Sequence, residues 1–181
     1  MDTDKQGTFA ALAVPNCRRY VSGQSLSLIG TWVETVAQAL LVLRLTHSGT
    51  VLGLTTAARY APILLLSPYA GLMVDRHSKR HMLLATQAGL GLVSATLGVS
   101  VLTGNIRLWQ IVVLALLFGT LSAVDNPARQ AFVPEVVGRD LVRDAVTLNS
   151  TTVNVARVIG PTIAAVLVST IGIGWCFVVN A

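Results

Sequence analysis

Long apolar runs dominate this chain, and each is about as long as the roughly 17–25 residues that cross a bilayer core as a helix. They cover residues 20–43, 51–73, 82–102, 108–124 and 145–171, and a further run begins at Trp175. The third and fourth runs contain no charged residue. The pattern predicts an all-α membrane protein with about five complete transmembrane helices and the start of a sixth, forming one bundle over residues 1–181.

The proportion of charged residues supports a membrane location. Hydrophobic residues make up 53% of the chain and charged residues only 12%, whereas soluble domains carry roughly 25% charged residues. The net charge of +5 could indicate nucleic-acid binding, but the cations lie between apolar runs and are not clustered on one polar element. We therefore expect the lipid bilayer, and not nucleic acid, as the partner.

The distribution of lysine and arginine predicts the orientation of the chain. Arg44 and Arg107 fall on one side of the membrane, and Arg59 and Arg157 fall within spans. The other cations share the opposite side: Lys5, Arg18, Arg19, Arg76, Lys79, Arg80, Arg129, Arg139 and Arg143. Because positive residues are retained in the cytoplasm, the N-terminus is predicted to be cytoplasmic.

The connections between the runs differ in length. Residues 47–49 and 103–105 contain glycine within short polar breaks, which predicts tight antiparallel hairpins. The longest break, residues 125–144, contains Pro127, Pro134 and an amphipathic stretch. We expect this segment to form a short surface helix separate from the fourth span.

The most specific motif lies between the second and third runs, on the predicted cytoplasmic side. Gly71 is followed by the pair Asp75 and Arg76 and then by the basic pair Lys79 and Arg80. An ordinary cytoplasmic loop would explain the basic residues alone, but the aspartate at this spacing favours a specialised loop. A carboxylate at the membrane surface can cap a helix N-terminus, where unpaired N–H groups favour negative charge.

A second acid, Asp125, is predicted near the cytoplasmic end of the fourth span. We expect it to join the basic residues Arg76, Lys79 and Arg80 in a surface network.

The motif from Gly71 to Arg80 resembles the signature loop of the major facilitator superfamily, with Ser78 where the common pattern has glycine. Other segments are similar to one bacterial branch of that superfamily, the branch that includes the enterobactin exporters: residues 16–20, 23–24, 30–32, 45–46, 125–130, 148–150 and 156–161.

The resemblance implies a multi-pass protein of the bacterial inner membrane. It also implies that Asp75 and its basic neighbours hold the two halves of a transporter together on the cytoplasmic side. Because members of the superfamily have about twelve helices, the chain is expected to be an N-terminal fragment whose C-terminal half is absent.

Gly160 and Pro161, in the fifth run, resemble the antiporter signature of the same superfamily, with Ala156, Ala164 and Ala165 where that pattern has glycines. Small residues let membrane helices approach closely, and proline removes a backbone hydrogen bond and can kink a helix. Both an antiport motif and a purely structural kink fit this pattern.

A polar stripe marks one face of the first span: Gln24, Ser27, Thr31, Glu34 and Gln38. The spacings of three and four residues place these side chains within about a quarter of the helix circumference. Polar packing between helices would account for such a face. Because the stripe includes an acid, we favour a water-filled path.

Three charged residues lie deep within spans, where charges are rare and usually functional. Glu34 precedes His47 by 13 residues and Arg59 follows it by 12, so the two lie almost level on adjacent antiparallel helices and can pair. Arg157 is also predicted near mid-membrane. We expect these three, with Gln24, Thr31 and Gln38, to form the substrate or proton path; the alternative is a buried pair that only fixes helix packing.

These features predict a secondary transporter that exports a small organic molecule (a siderophore, drug or metabolite) by alternating access, coupled to protons. No ATP-binding glycine loop is present, and no histidine or cysteine falls within a complete span. We therefore expect no enzyme activity, no cofactor and no metal. The alternative function is a truncated, non-transporting membrane scaffold or receptor fragment.

Overall fold

The computed structural model describes residues 15–137 and 142–181, which form six helices. These are α1 (Pro15–Thr46), α2 (Gly49–Arg76), α3 (Lys79–Leu102), α4 (Leu108–Val137), α5 (Val142–Ile171) and α6 (Ile173–Asn180). Five of them are long and apolar enough to cross a membrane, which confirms the predicted all-α membrane architecture. Lys5 and Arg139 lie outside the described residues, as do the side chains of Cys17, Arg19 and Arg143.

The hairpins form where the sequence has its short polar breaks. His47 adopts a φ of 50°, and Ser48 then caps α2 by accepting a hydrogen bond from the Val51 amide at 3.4 Å. Gly104 and Gly172 have φ values of 69° and 85°, a left-handed conformation in which only glycine is free of strain. Each turn holds the ends of the two helices that it joins close together: α1 and α2, α3 and α4, and α5 and α6.

The prediction of a break after the fourth span was wrong. Helix α4 runs without interruption through Pro127 and Pro134 to Val137. Each proline removes one backbone hydrogen bond, but burial of Ala128 and Val133 in the bundle holds this end of the helix in place. Asp125 therefore lies inside a long helix.

The connection between α2 and α3 is also shorter than expected, because only His77 and Ser78 lie between the helices. Asp75 and Arg76 belong to the last turn of α2, and Lys79 and Arg80 belong to the first turn of α3.

The helices do not pack in the order in which they occur in the chain. The most extensive contacts join α2 to α4 and α1 to α5, while α3 packs on α4 and α6, and α6 packs on α1. The same pairs of helices are in contact if the labels of the first three helices are swapped with those of the last three: α1 with α4, α2 with α5 and α3 with α6. The bundle therefore has the contact pattern of two three-helix repeats, as described for halves of major facilitator transporters.

An apolar core joins α1, α3, α4, α5 and α6 through residues such as Val33, Leu97, Ile111, Ala164 and Phe177. In contrast, α2 exposes a series of large leucines, and Leu54, Leu64, Leu65 and Leu72 are between 64% and 80% exposed. Such a surface is suited to contact with hydrocarbon or with another membrane bundle and not with water.

Two glycines mark close contacts between helices. A Cβ atom added at Gly160 would lie 2.6 Å from Trp32 Cβ, so α5 meets α1 through a bare glycine backbone. A Cβ atom at Gly119 would overlap the carbonyl oxygen of Arg59, so α4 meets the backbone of α2 directly. The Gly160–Pro161 step thus lies at a helix contact, and α5 continues through it.

Candidate functional site

A group of polar side chains lies deep inside the bundle; we call it the central cluster and define it as Glu34, Gln38, Arg59, Ser94 and Asn180. Glu34 is completely buried. Its Oε2 atom accepts hydrogen bonds from the Ser94 hydroxyl and from Asn180 Nδ2, the latter at 2.5 Å. Its Oε1 atom lies 3.7 Å from Arg59 Nη1 and accepts no hydrogen bond. One carboxylate oxygen is therefore satisfied, and the other faces the arginine without bonding to it.

Arg59 is held by contacts on two sides. Its Nη1 donates to Gln38 Oε1 at 2.7 Å, and its guanidinium carbon lies 3.7 Å from the centre of the Phe118 ring, a cation–π geometry. The close approach of Glu34 and Arg59, which their equal depth predicts, is present. Their role in transport remains a prediction.

A narrow slot between α1 and α2 reaches Arg59 from the outside of the bundle. Its volume is about 50 Å³. Its lining includes the polar residues Thr35, Gln38, Thr55, Thr56 and Tyr60. Two members of the central cluster, Gln38 and Arg59, thus line this slot.

A second polar group, the Asp125 cluster, comprises Asp125, Arg129, Gln24, Ser27, Thr86 and Gln87. Asp125 accepts hydrogen bonds from the Thr86 hydroxyl at 2.7 Å and from Gln87 Nε2 at 2.9 Å, and its Oδ2 atom is 2.5 Å from Arg129 Nε. Arg129 also donates to Gln24 and, at 3.2 Å, to the Ser27 hydroxyl. This network ties α4 to α1 and α3.

The expected surface network around Asp125 is therefore wrong. Asp125 is only 4% exposed and takes its partners from α3 and from its own helix, not from Arg76, Lys79 or Arg80. The cause is the continuation of α4, which places Asp125 within the bundle. The nearest link to the loop is Arg80, which lines a cavity of about 310 Å³ together with Gln24 and Arg129.

The loop residues themselves lie at the surface. Asp75, Arg76 and Arg80 are exposed, and Gly71 and Lys79 are half-buried. Asp75, Arg76 and Arg80 are therefore accessible at the surface of the bundle.

The polar stripe of α1 is divided between the two clusters. Gln24, Glu34 and Gln38 are buried and engaged by other side chains. Thr31 is exposed and donates to the Ser27 carbonyl of its own helix at 2.9 Å. A cavity of about 570 Å³ extends between the clusters, with Ser27, Thr31, Gln87 and Asn180 in its lining.

Arg157 does not join the central cluster, contrary to the expectation of a common polar centre. Helix α5 packs on α1 through the buried residues Ala156, Gly160, Ala164 and Val168, which repeat every four positions. Arg157 is one position off this stripe, about 100° around the helix, and is exposed. It lies at mid-helix on a face that the described residues do not cover.

The sequence does not predict four members of the two clusters: Ser94, Asn180, Thr86 and Gln87. It predicts Arg129 only as a cytoplasmic cation. An aspartate four residues before an arginine on one helix, as at Asp125 and Arg129, is a recognised pairing signal. No local signal identifies Ser94 or Asn180, because both reach Glu34 from other helices.

Comparison with known proteins gives consistent matches over most of the chain. Residues 6–181 match a family described as transmembrane secretion effector. The staphyloferrin A transporter of Staphylococcus aureus is 34% identical over 151 residues, which cover 83% of this chain and 38% of that protein. The enterobactin exporter EntS of Shigella boydii is 27% identical over 157 residues, which cover 87% of this chain and 36% of the exporter.

Macrolide efflux protein A of Streptococcus pyogenes is 20% identical over 148 residues, 82% of this chain and 36% of that protein. The chain thus spans less than two fifths of the length of these relatives. No solved structure matches it significantly.

Proposed function

We propose, because this chain belongs to the transmembrane secretion effector family of the major facilitator superfamily, that it forms the N-terminal bundle of a secondary transporter that exports a small organic molecule. The observation that carries this proposal is the buried ion pair Glu34–Arg59 at mid-depth in a bundle of membrane-spanning helices. Charges at that depth are costly and usually belong to a substrate or ion pathway.

The substrate class follows from the relatives and from the site. The similar proteins are named for the export or transport of siderophores and of macrolides, so a siderophore, drug or metabolite is the proposed cargo. Alternating access would require a second bundle that rocks against this one around the central cluster. The exposed residues Asp75, Arg76 and Arg80, with the half-buried Lys79 beside them, are proposed to contact that second bundle on the cytoplasmic side.

Transport itself can be tested with the full-length protein in proteoliposomes. An imposed proton gradient is expected to drive movement of at least one of three probes: staphyloferrin A, enterobactin or erythromycin. A folded protein that moves none of them above the level of empty liposomes would favour the scaffold or receptor alternative.

The proposed location is the bacterial inner membrane with a cytoplasmic N-terminus, as the cation distribution indicates. Cys176 is a poor reporter of this orientation, because it is completely buried. Exposed turn positions serve better: Thr103, between α3 and α4, and Ser78, between α2 and α3.

In a variant with Cys17 and Cys176 changed to serine, Thr103→Cys is expected to react with a membrane-impermeant maleimide in intact cells. Ser78→Cys should react only after permeabilisation. The reverse labelling pattern would show that the orientation is inverted.

We further propose that Glu34 carries the coupled proton. Its Oε1 atom is buried with no hydrogen-bond donor, and a buried charged oxygen without a donor is costly. A proton on Oε1 would remove that charge when Arg59 is engaged by substrate. Arg59 would remain held by Gln38 and Phe118 in that state.

Glu34→Gln is therefore expected to retain substrate binding and to flatten the pH dependence of transport, because the amide cannot take up the proton. The measurement is a pH series of flux in proteoliposomes. Arg44→Gln is the control, since it neutralises an exposed charge in the last turn of α1 and should leave the shape of the pH profile intact. An unaltered pH profile in Glu34→Gln would exclude the proton role.

A further inference from the structure

We propose that the slot between α1 and α2 is a binding subsite for a carboxylate group of the transported molecule, with the Arg59 guanidinium as its anchor. The inference rests on the proposed export function, since it assigns a chemical class to the substrate. It starts from the donors of Arg59 and the shape of the slot.

The guanidinium of Arg59 has donors to spare. Of its five N–H groups, the single hydrogen bond within the described chain is the one from Nη1 to Gln38. Glu34 Oε1, at 3.7 Å, is beyond hydrogen-bonding distance. Among the described residues, Glu34 Oε1 is the one fully buried side-chain polar atom without a hydrogen-bond partner. Nε and Nη2 of Arg59 also have no such partner among these residues, so these two atoms are not fully buried. Arg59 itself lines the slot, so we infer that a group entering the slot can reach these donors.

The slot supplies further donors at its mouth. Thr56 and Tyr60 line it, and both are exposed. Thr35 and Thr55 also line it, but their hydroxyls donate to carbonyls of their own helices at 2.7 Å and 3.0 Å. Arg59, Thr56 and Tyr60, together with the side-chain NH2 of Gln38, whose oxygen is the atom that Arg59 engages, are thus the groups able to donate to a ligand.

The size and charge of the slot select a carboxylate. A volume of about 50 Å³ admits one small planar group while the rest of a larger molecule stays outside. The arginine fork matches a carboxylate with two parallel hydrogen bonds. Because Glu34 already offsets part of the Arg59 charge, a monoanion is better compensated here than a phosphate dianion. A cationic group would be repelled by Arg59.

The direct test is ligand-dependent thermal unfolding of the purified full-length protein in detergent, with benzoate as the probe and benzamide as its neutral counterpart at equal ionic strength. Benzoate is expected to raise the melting temperature in a saturable way, while benzamide has no effect and phosphate a weaker one. Arg59→Gln should abolish the benzoate effect. Arg59→Lys should weaken apparent affinity by about tenfold, because lysine lacks the planar fork.

Two further variants keep the test decisive if Arg59→Gln is poorly folded. Thr56→Val and Tyr60→Phe change exposed side chains and should weaken benzoate binding several-fold while leaving the melting temperature without ligand unchanged. Arg44→Gln, an exposed position in the last turn of α1, is the charge-matched control and should bind benzoate normally. Equal binding of benzoate and benzamide, or full binding in Thr56→Val and Tyr60→Phe, would overturn the proposal. So would loss of binding in Arg157→Gln alone.

The subsite and the export function fail in distinguishable ways. If proteoliposomes move one of the three transport probes but benzoate binding is absent, the carboxylate subsite is wrong and the transporter assignment stands. If benzoate binds in an Arg59-dependent manner but no probe moves, the subsite is supported and the proposed export of these classes is wrong.

Discussion

Arg59→Met is expected to destabilise the protein by about 3–5 kcal/mol, the range seen when one partner of a buried ion pair is removed. The residue is only 4% exposed, and its loss leaves the Glu34 carboxylate buried with no cation nearby. Gln38 also loses the donor to its side-chain oxygen. The free energy of unfolding can be measured by denaturant titration in detergent micelles.

The cause can be isolated by restoring neutrality. In the double variant Glu34→Gln with Arg59→Met, no unpaired charge remains, and we expect most of the lost stability to return. Arg44→Met removes an exposed arginine and should change stability by less than about 0.5 kcal/mol. A double variant as unstable as Arg59→Met would show that packing over Phe118, and not charge, explains the loss.

Gly119→Ala is the second change with a large expected effect. The added methyl group would overlap the Arg59 carbonyl oxygen and lie 3.2 Å from Pro62 Cδ. Because a backbone carbonyl in a helix cannot move aside as a side chain can, α2 and α4 must separate. We expect a loss of about 2–3 kcal/mol, the upper part of the range for overpacking.

The matched control is Gly53→Ala in α2, where an added Cβ meets nothing within 4 Å. This change should be neutral or stabilising by up to about 1 kcal/mol, because alanine favours the helix. Melting temperatures of both variants, measured side by side, provide the comparison. Equal stability of the two variants would contradict the proposed backbone contact between α2 and α4.

Some of the architecture was predictable from local properties alone. The number of spans follows from the length of apolar runs, and the pairing of Glu34 with Arg59 follows from counting residues on either side of the His47 turn. Both inferences require only the rise per residue of a helix and a short connection. They hold because the turn between α1 and α2 consists of two residues.

The remaining contacts depend on which helices pack together, and no local pattern states this. The sequence groups Arg157 with Glu34 and Arg59 because its depth is similar, but depth gives no information about the direction around α5. The sequence places Asp125 at the surface because the apolar run of the fourth span ends at residue 124, whereas α4 continues to Val137. Asn180 reaches Glu34 only because α6 packs against α1 and α3.

The pairing of α2 with α4 also bears on how the protein is made. Chains are synthesised and inserted from the N-terminus, so α2 enters the bilayer before its main neighbour α4 exists. During that interval a lone arginine in the hydrocarbon would cost about 2.5–3.5 kcal/mol even by lenient insertion scales. The short turn at His47 brings Glu34 beside Arg59 as soon as the first hairpin is inserted. The ion pair is thus available from the first stage of biogenesis and can retain α2 in the membrane until α4 arrives.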